Sequence, residues 1–177
     1  FLPFFGFGQF VTTNPDTVCY QTNVSIYQVP SLGAGYTYAW TVAAPGVVTS
    51  GAGTNSIGVN WSAAAPGLIS GAVSVIATNA GCNSAPVTLN VFILQVIPTI
   101  TAIGPLCLDA ACVTLTGTPI GGVFSGTGVS SNQFCPSVAG VGTHTITYTI
   151  TQNGCTFTAT TTITVNPLPV LSPISHN

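Results

Sequence analysis

Apolar and polar residues alternate along most of the chain, in short runs separated by clusters of Gly, Pro and Asn. Alternation with a period of two is typical of β-strands that bury one face. Runs that recur about every 8–12 residues, with turn residues between them, favour an all-β architecture. Helix signals are nearly absent, so the pattern predicts an all-β chain.

The strand runs fall into two sets, which we interpret as two domains. The first set covers residues 13–97, with strands expected near 22–29, 36–42, 47–50, 56–61, 71–79 and 85–93. The second covers residues 98–166, with strands expected near 113–116, 122–125, 132–134, 143–151 and 156–165. Residues 1–12 form an N-terminal arm and residues 167–177 a Pro-rich tail. This order predicts two tandem immunoglobulin-like β-sandwiches with disulfides.

Strand parity predicts which side chains face each core. In the first domain Tyr36, Tyr38 and Trp40 share one face, and Trp40 is the expected core aromatic. Trp61 also has inward parity. Four residues of the last strand of this domain are expected inward as well: Val87, Leu89, Val91 and Ile93.

The last two strands of the second domain predict a long hairpin. Asn153-Gly154 between them is a strong two-residue turn signal. Ten threonines at alternate positions of these strands are expected outward as a ladder. We interpret the ladder as the solvated face of the sheet in preference to an ice-binding face.

The chain is nearly free of charge. It has no Lys or Arg, two acidic residues and a net charge of −2. Nucleic-acid binding depends on Lys and Arg that neutralise phosphates, so no nucleic-acid partner is expected. Charged side chains usually protect edge strands from pairing with other chains. The absence of such charges here favours association between copies. No apolar run is long enough for a transmembrane helix.

Six cysteines without a methionine indicate an oxidising, extracellular or cell-surface location. Matching cysteines precede the second strand and lie in the last hairpin of each domain. The expected pairs are Cys19 with Cys82, Cys107 with Cys155, and Cys112 with Cys135. The four cysteines of the second domain allow three pairings, so the assignment of Cys112 and Cys135 stays open.

Several segments resemble repeats of Bacteroidota surface proteins. VCYQTNVSIYQVPSLGAGYTYAWTV and GAVSVIATNAGCNSAPVTLNV resemble a PKD-like domain. GGVFSGTGV and GTHTITYTITQNGC resemble the Ig-like repeat of long adhesins. The resemblance implies export, often through the type IX secretion system, and a role in adhesion, gliding or extracellular assemblies. It implies no catalytic residues.

Catalytic and metal-binding chemistry is poorly supplied, so the chain is predicted not to be an enzyme and to bind no cofactor or metal. Asp16 and Asp109 lie in different predicted domains, which disfavours a working carboxylate pair. His144 begins a strand on its apolar face and is expected to pack there. His176 lies in the tail.

Three short motifs are candidate glycosylation sites. Asn23 and Asn60 each begin an N-glycosylation sequon. Asp16-Thr17-Val18 resembles the tripeptide that Bacteroidota O-glycosylate, with Thr17 as the acceptor. A glycan would make a surface that lacks charge more hydrophilic.

The N-terminal arm, FLPFFGFGQF, concentrates apolar side chains: Phe1, Leu2, Phe4, Phe5, Phe7 and Phe10. Three interpretations compete. The arm is the first strand of its own domain, or it adds a strand to a neighbouring copy, or it belongs to a signal or membrane-touching segment. The second is favoured by the unprotected edges and by Ile76 and Phe92, whose outward parity predicts an apolar receiving patch.

The sequence therefore predicts a structural subunit of an extracellular bacterial filament or pilus-like fibre. Copies would assemble head to tail, with the arm docked on a neighbour as an open polymer. The alternative is a non-catalytic pair of adhesive repeats from a long surface adhesin, with glycans or another cell as its partner.

Overall fold

The structure is a computed structural model that describes residues 15–171, 173, 174 and 176. The chain divides between Gln95 and Val96 into two compact units. The predictions made for the Phe-rich arm fall outside the described residues. These predictions concern Phe1, Leu2, Phe4, Phe5, Phe7 and Phe10.

The strands of unit 1 follow the alternating runs closely. They are β1 (Asp16–Cys19), β2 (Ser25–Gln28), β3 (Thr37–Val42), β4 (Val47–Ser50), β5 (Ser56–Asn60), β6 (Gly67–Asn79), β7 (Cys82–Asn83) and β8 (Val87–Leu94). The larger sheet has the order β1-β8-β6-β3, with β7 paired to the end of β6, and the smaller has the order β2-β5-β4. A β-bulge interrupts the β6–β8 pairing between Ile69 and Val73.

The core of unit 1 lies between its two sheets. Val18, Val73, Val91 and Ile93 project from the larger sheet, and Tyr27, Ile57 and Val59 from the smaller. Trp61, which follows β5, is completely buried. This two-layer packing is the β-sandwich that the alternation predicted.

The strands of unit 2 are shorter, apart from the last two. They are β9 (Thr99–Ile100), β10 (Leu106–Cys107), β11 (Val113–Thr114), β12 (Gly117–Thr118), β13 (Val123–Ser125), β14 (Val129–Ser130), β15 (Gln133–Phe134), β16 (Gly142–Gln152) and β17 (Cys155–Asn166). A single helical turn, α1 (Pro136–Ala139), precedes β16. The sheets have the orders β10-β17-β16-β13, β11-β15-β14 and β12-β9.

Unit 2 also packs a core between layers. Ile146 and Ile163 lie on the long strands, and Phe134 lies on the facing sheet, all completely buried. Both units are therefore two-layer β structures, and the predicted class of two tandem immunoglobulin-like β-sandwiches is confirmed.

The long hairpin of unit 2 forms in the expected register. Asn153 and Gly154 both have positive φ, 48° and 79°, as a tight two-residue turn requires. Five Thr–Thr pairs then stand directly opposite one another along β16 and β17, beginning with Thr151 and Thr156 at the turn. Since Ile146, Ile150 and Ile163 on the other face are buried, the Thr ladder faces outward as predicted.

Two short parallel strands, β1 in unit 1 and β10 in unit 2, are the main difference from the predicted fold. β1 pairs parallel with β8, setting Cys19 beside Leu94, and β10 pairs parallel with β17, setting Cys107 beside Asn166. The sequence runs placed no strand at either position. Each of these strands pairs in parallel with a partner that is distant in sequence, and local alternation does not reveal such a partner.

Candidate functional site

Unit 1 has an apolar cleft of about 410 Å³ on the side where β2 faces β8. Its walls are mainly aliphatic and aromatic side chains from β2, β3, β6 and β8. The lining residues are Asp16, Ile26, Tyr27, Gln28, Val29, Trp40, Val73, Val75, Val87, Thr88 and Leu89. Apolar clefts with few polar groups are the usual places where proteins receive ligands or peptides.

A second cleft of about 360 Å³ adjoins the first and shares Val29, Val75 and Val87 with it. It is also apolar and adds Pro30, Leu32, Tyr38 and Ala85 to the lining. The shared residues make the two clefts neighbours along the β2–β8 side. We call the pair the β2–β8 cleft.

Strand pairing explains why the sandwich is open here. β1 covers only Val91–Leu94 of β8. Among the described residues, no strand pairs with residues 87–89 on the side away from β6. β2 is likewise the edge of the smaller sheet. The cleft therefore lies between two sheet edges, and its β8 edge presents backbone groups with which another strand can pair.

Val87 shows the consequence at a single residue. Its inward parity predicted a core position, yet it is 62% exposed. Val91 and Ile93 farther along β8 are buried, as predicted. Leu89 packs against the core from the first half of β8, whereas Val87 at the start of the strand lines the open cleft.

The floor of the cleft is held by hydrogen bonds that satisfy its aromatic side chains. Trp61 Nε1 donates to the Tyr27 hydroxyl at 3.0 Å, with the two rings edge to face. Trp40 Nε1 donates to the Thr54 carbonyl at 2.7 Å. The Leu32 amide donates to the Tyr38 hydroxyl at 2.8 Å. What the cleft offers to a partner is therefore apolar surface and the β8 edge.

Tyr27 is the residue of the cleft whose acidity changes most on folding. Burial raises the pKa of its phenol from 10.0 to about 12, and the carboxylate of Asp16 adds to the rise. An ionised phenol would lose its hydration and repel the carboxylate. The phenol is therefore neutral at physiological pH and remains a hydrogen-bond acceptor for Trp61.

The predicted core aromatic of unit 1 is corrected by the structure. Trp40 lies on β3, the edge strand of the larger sheet, where it is half-buried and packs against the core from the side. Trp61 occupies the centre of the core instead. Tyr38 is buried as expected, whereas Tyr36 is 37% exposed. Parity gives the face of a strand, but only the layer packed over it decides burial.

Ile76 and Phe92 do not form one receiving patch. Both are half-buried. The register sets Ile76 opposite Ala39 and Phe92 opposite Leu68, eight positions apart along β6. At about 3.3 Å per residue that is about 26 Å. The prediction of a shared patch is therefore wrong. Strand parity shows which face a residue is on, but only the register shows how far apart two residues of that face lie.

The predicted disulfides Cys19–Cys82 and Cys107–Cys155 are not formed. Cys82 and Cys107 are exposed free thiols, whereas Cys19 and Cys155 are disulfide-bonded. Cys19 lies near the start of β6 and Cys82 just beyond its end, about 40 Å away along the strand. Cys107 and Cys155 lie at opposite ends of β17. A disulfide requires Cα atoms within about 7 Å.

Cys112 and Cys135 are joined, with 4.1 Å between their Cα atoms. The antiparallel register sets Val113 opposite Phe134, so the disulfide occupies the next position of the same ladder. Sequence spacing left this pair open, and strand register is what selects it.

The candidate glycosylation residues differ in their exposure. Asn23 is exposed in the loop before β2, whereas Thr17 on β1 and Asn60 on β5 are half-buried. The Asn60 side chain accepts a hydrogen bond from the Ser62 amide at 2.7 Å. Asn23 therefore offers a glycan the most room, and modification at all three stays a prediction.

The other chemistry-bearing residues are scattered. Asp16 and Asp109 fall in different units. Nε2 of His144 lies 2.9 Å from the Gly140 carbonyl oxygen, and its ring lies 6.0 Å from that of Phe134. His176 is exposed. In the part of the chain that the structure describes, no three His, Cys, Asp or Glu side chains are grouped as metal ligands would be.

A family model for the PKD-like domain matches residues 9–91, which covers most of unit 1. The match supports the PKD-like and Ig-like character that the sequence segments indicated. Domains of these kinds are generally non-catalytic, and they are typical of extracellular structural or adhesive repeats. The bacterial phylum and the secretion route stay predictions. No curated protein matches the chain.

The solved structures that the chain matches include three of low sequence identity. The fibronectin(III)-like modules of Clostridium thermocellum CbhA are 13% identical, with 95% of this chain and 98% of that chain covered and a TM-score of 0.39. Titin domains Z1Z2 in complex with telethonin are 15% identical, with 88% and 93% covered and a TM-score of 0.34. Sidekick-1 immunoglobulin domains 1–5 are 11% identical, with 89% and 38% covered and a TM-score of 0.37.

No helix within the described ranges is long and apolar enough to cross a membrane.

Proposed function

We propose that the chain is a structural subunit of an extracellular filament, in which the arm of one copy docks in the β2–β8 cleft of the next. The observation that carries the proposal is the first half of β8, whose edge away from β6 is paired with no strand among residues 15–171. It combines this edge with an apolar surface that includes the exposed Val87. Docking there would add a strand to the larger sheet.

The arm has the chemistry that the cleft requires. Its Phe and Leu side chains supply apolar surface, and an added strand would direct alternate residues into the cleft. Gly6 and Gly8 allow close backbone approach. Burial of one Phe side chain contributes about 2 kcal/mol, so burial of all five would contribute about 10 kcal/mol towards the cost of ordering the arm, which is roughly 1–2 kcal/mol per residue.

The near absence of charge removes the usual barrier to such pairing. With no Lys or Arg and two acidic residues, neither the arm nor the cleft imposes a repulsive pattern. Proteins that remain monomeric commonly place Lys on exposed edges. The exported, disulfide-bonded character expected of such repeats agrees with a location outside the cell.

A matched set of variants tests the proposal. The set contains the unaltered chain, a chain without residues 1–12, Val87→Asp and Val47→Asp. Val47 is the control because it is a strand valine of unit 1 with 60% exposure against 62% for Val87, and it lies outside the cleft. We expect filaments from the unaltered chain and from Val47→Asp in negative-stain electron microscopy, and none from the other two.

Mixing separates docking on a neighbour from docking within one copy. The arm-deleted chain keeps its cleft and Val87→Asp keeps its arm, so their mixture should form dimers by sedimentation and no longer species. Filaments from the arm-deleted chain would overturn the proposal. So would monomers of the unaltered chain together with a large loss of stability on arm deletion, because the arm would then be the first strand of its own unit.

A second candidate function is an adhesive repeat that binds glycans, and Trp40 is the observation that favours it. Trp40 lines the cleft beside Gln28 and Asp16, and an aromatic face with nearby polar groups is the usual composition of a sugar site. Screening the arm-deleted chain on a glycan array, with Trp40→Phe as the control, tests this function. Glycan binding that Trp40→Phe abolishes would support it.

A further inference from the structure

Two of the six cysteines are exposed free thiols, Cys82 in unit 1 and Cys107 in unit 2. Cys112 and Cys135 are bonded to each other, and Cys19 and Cys155 are also disulfide-bonded. Exposed thiols readily enter disulfide exchange in an oxidising compartment. The other four cysteines of the chain form disulfides. The two exposed thiols are therefore candidates for disulfides with thiols of another chain.

The two units carry cysteines at matching positions. Cys19 and Cys107 each end a short strand that pairs parallel with the last strand of its unit. Cys82 and Cys155 each follow a two-residue turn that ends in glycine, opposite Asn79 and Gln152 respectively. Each unit therefore has one cysteine at its exit end, where its last strand finishes, and one at its hairpin end.

The disulfide-bonded cysteine and the free cysteine occupy opposite ends in the two units. In unit 1 the exit-end Cys19 is oxidised and the hairpin-end Cys82 is free. In unit 2 the hairpin-end Cys155 is oxidised and the exit-end Cys107 is free. Within either unit the two positions are separated by about 36–40 Å of strand, far beyond the reach of a disulfide.

We propose that Cys82 of one copy forms a disulfide with Cys107 of the next, so that the copies are linked covalently from head to tail. The proposal rests on the proposed function, in which copies meet in this order. Each copy carries one free thiol in each unit, Cys107 at the exit end of unit 2 and Cys82 at the hairpin end of unit 1, so a Cys82–Cys107 bond can be repeated from copy to copy. Because the two partners differ, the link is heterologous and leaves both ends open for growth.

The oxidation needs a disulfide oxidant, which is either a low-molecular-weight disulfide or the disulfide of a thiol oxidoreductase. The thiolate of one cysteine attacks the oxidant, which forms a mixed disulfide and releases one thiol. The thiolate of the other copy then attacks the cysteine sulfur of that mixed disulfide and displaces the second thiol. The two protein thiols lose two protons and two electrons, and the oxidant disulfide gains them as two thiols.

Two single variants provide the test, Cys82→Ser and Cys107→Ser. Each chain is incubated with oxidised glutathione, blocked with iodoacetamide and separated on a non-reducing denaturing gel. The unaltered chain should give a ladder in steps of 17.8 kDa, which collapses on reduction. Each variant alone should stay monomeric, and an equal mixture of the two should stop at the dimer, since one Cys82 and one Cys107 remain.

Self-pairing would contradict the proposal, and it would appear as a dimer from either variant alone. A ladder that is absent from the unaltered chain would also overturn it. Electron microscopy of the same samples tests filament formation, and with it the proposed function, separately from the covalent link. Filaments that dissociate in detergent without a ladder would retain the function and reject the covalent link. Peptic digestion and mass spectrometry of the dimer should yield the Cys82–Cys107 peptide pair.

Discussion

Folding changes the acid–base equilibrium of Tyr27. Burial and the neighbouring Asp16 raise the pKa of its phenol to about 12. The folded state therefore holds the proton more tightly than the unfolded chain. The resulting stability is fully present below pH 10, falls as the pH rises from 10 to about 12, and then levels off.

The corresponding prediction compares the unaltered chain with Tyr27→Phe, both in a Cys82→Ser, Cys107→Ser background that avoids alkaline disulfide exchange. Two pKa units correspond to about 3 kcal/mol. Because the folded phenol is only half ionised at pH 12, the free energy of unfolding should fall by about 2 kcal/mol more in the parent between pH 9 and 12. Urea unfolding followed by Trp fluorescence measures it. Equal pH slopes in the two proteins would contradict the prediction.

Gly122 is a position where a single methyl group should matter. A Cβ there would lie 2.5 Å from Tyr148 Cε2 and 2.7 Å from the Thr149 carbonyl oxygen. The Gly122 amide also donates to the Tyr148 hydroxyl at 2.9 Å. Since the backbone oxygen cannot move away cheaply, we expect Gly122→Ala to lower the free energy of unfolding by about 1–3 kcal/mol.

Gly104 is the matched control for Gly122. It lies in the same unit, and a Cβ there would have no atom within 4 Å. Gly104→Ala should therefore change the midpoint of urea unfolding very little. A larger loss for Gly104→Ala than for Gly122→Ala would contradict the packing of Tyr148 against Gly122.

At the scale of elements, the Cys112–Cys135 disulfide joins β11 to β15, strands too short to hold together by many hydrogen bonds. The disulfide closes a loop with a sequence separation of 23. We expect Cys112→Ser with Cys135→Ser to lower the free energy of unfolding by about 3 kcal/mol. The double variant Cys82→Ser, Cys107→Ser should leave it nearly unchanged in the monomer, because those thiols are free and exposed.

The elements also show which kinds of sequence signal were sufficient to predict a strand and its pairing. The β16–β17 hairpin was predicted almost to the residue, because Asn153-Gly154 fixes the turn and eleven-residue alternation fixes the faces. β1 and β10 were missed, because short parallel strands have neither a turn nor a long period. Those two strands determine where Cys19 and Cys107 lie, so the predicted disulfides were wrong for the same reason.

At the scale of the whole molecule, assembly should depend little on salt. The chain has no Lys or Arg and a net charge of −2, so in the proposed filament apolar burial and backbone pairing would supply the contact. Between about 0.02 and 0.5 M NaCl, over which screening changes several-fold, the critical concentration should change by less than about threefold. Sedimentation of polymer from monomer measures it, and a tenfold weakening at high salt would contradict an apolar contact.

The sequence by itself determined the all-β class, the two units, the solvated Thr face and the near absence of charge, because alternation, turn residues and composition act locally. Only the tertiary structure decided which half of β8 is covered, whether Trp40 or Trp61 lies at the core centre, and which cysteines can meet. Those outcomes depend on register between strands distant in sequence and on the layer packed above each face. A period of two specifies the face of a strand, but it does not specify its neighbour.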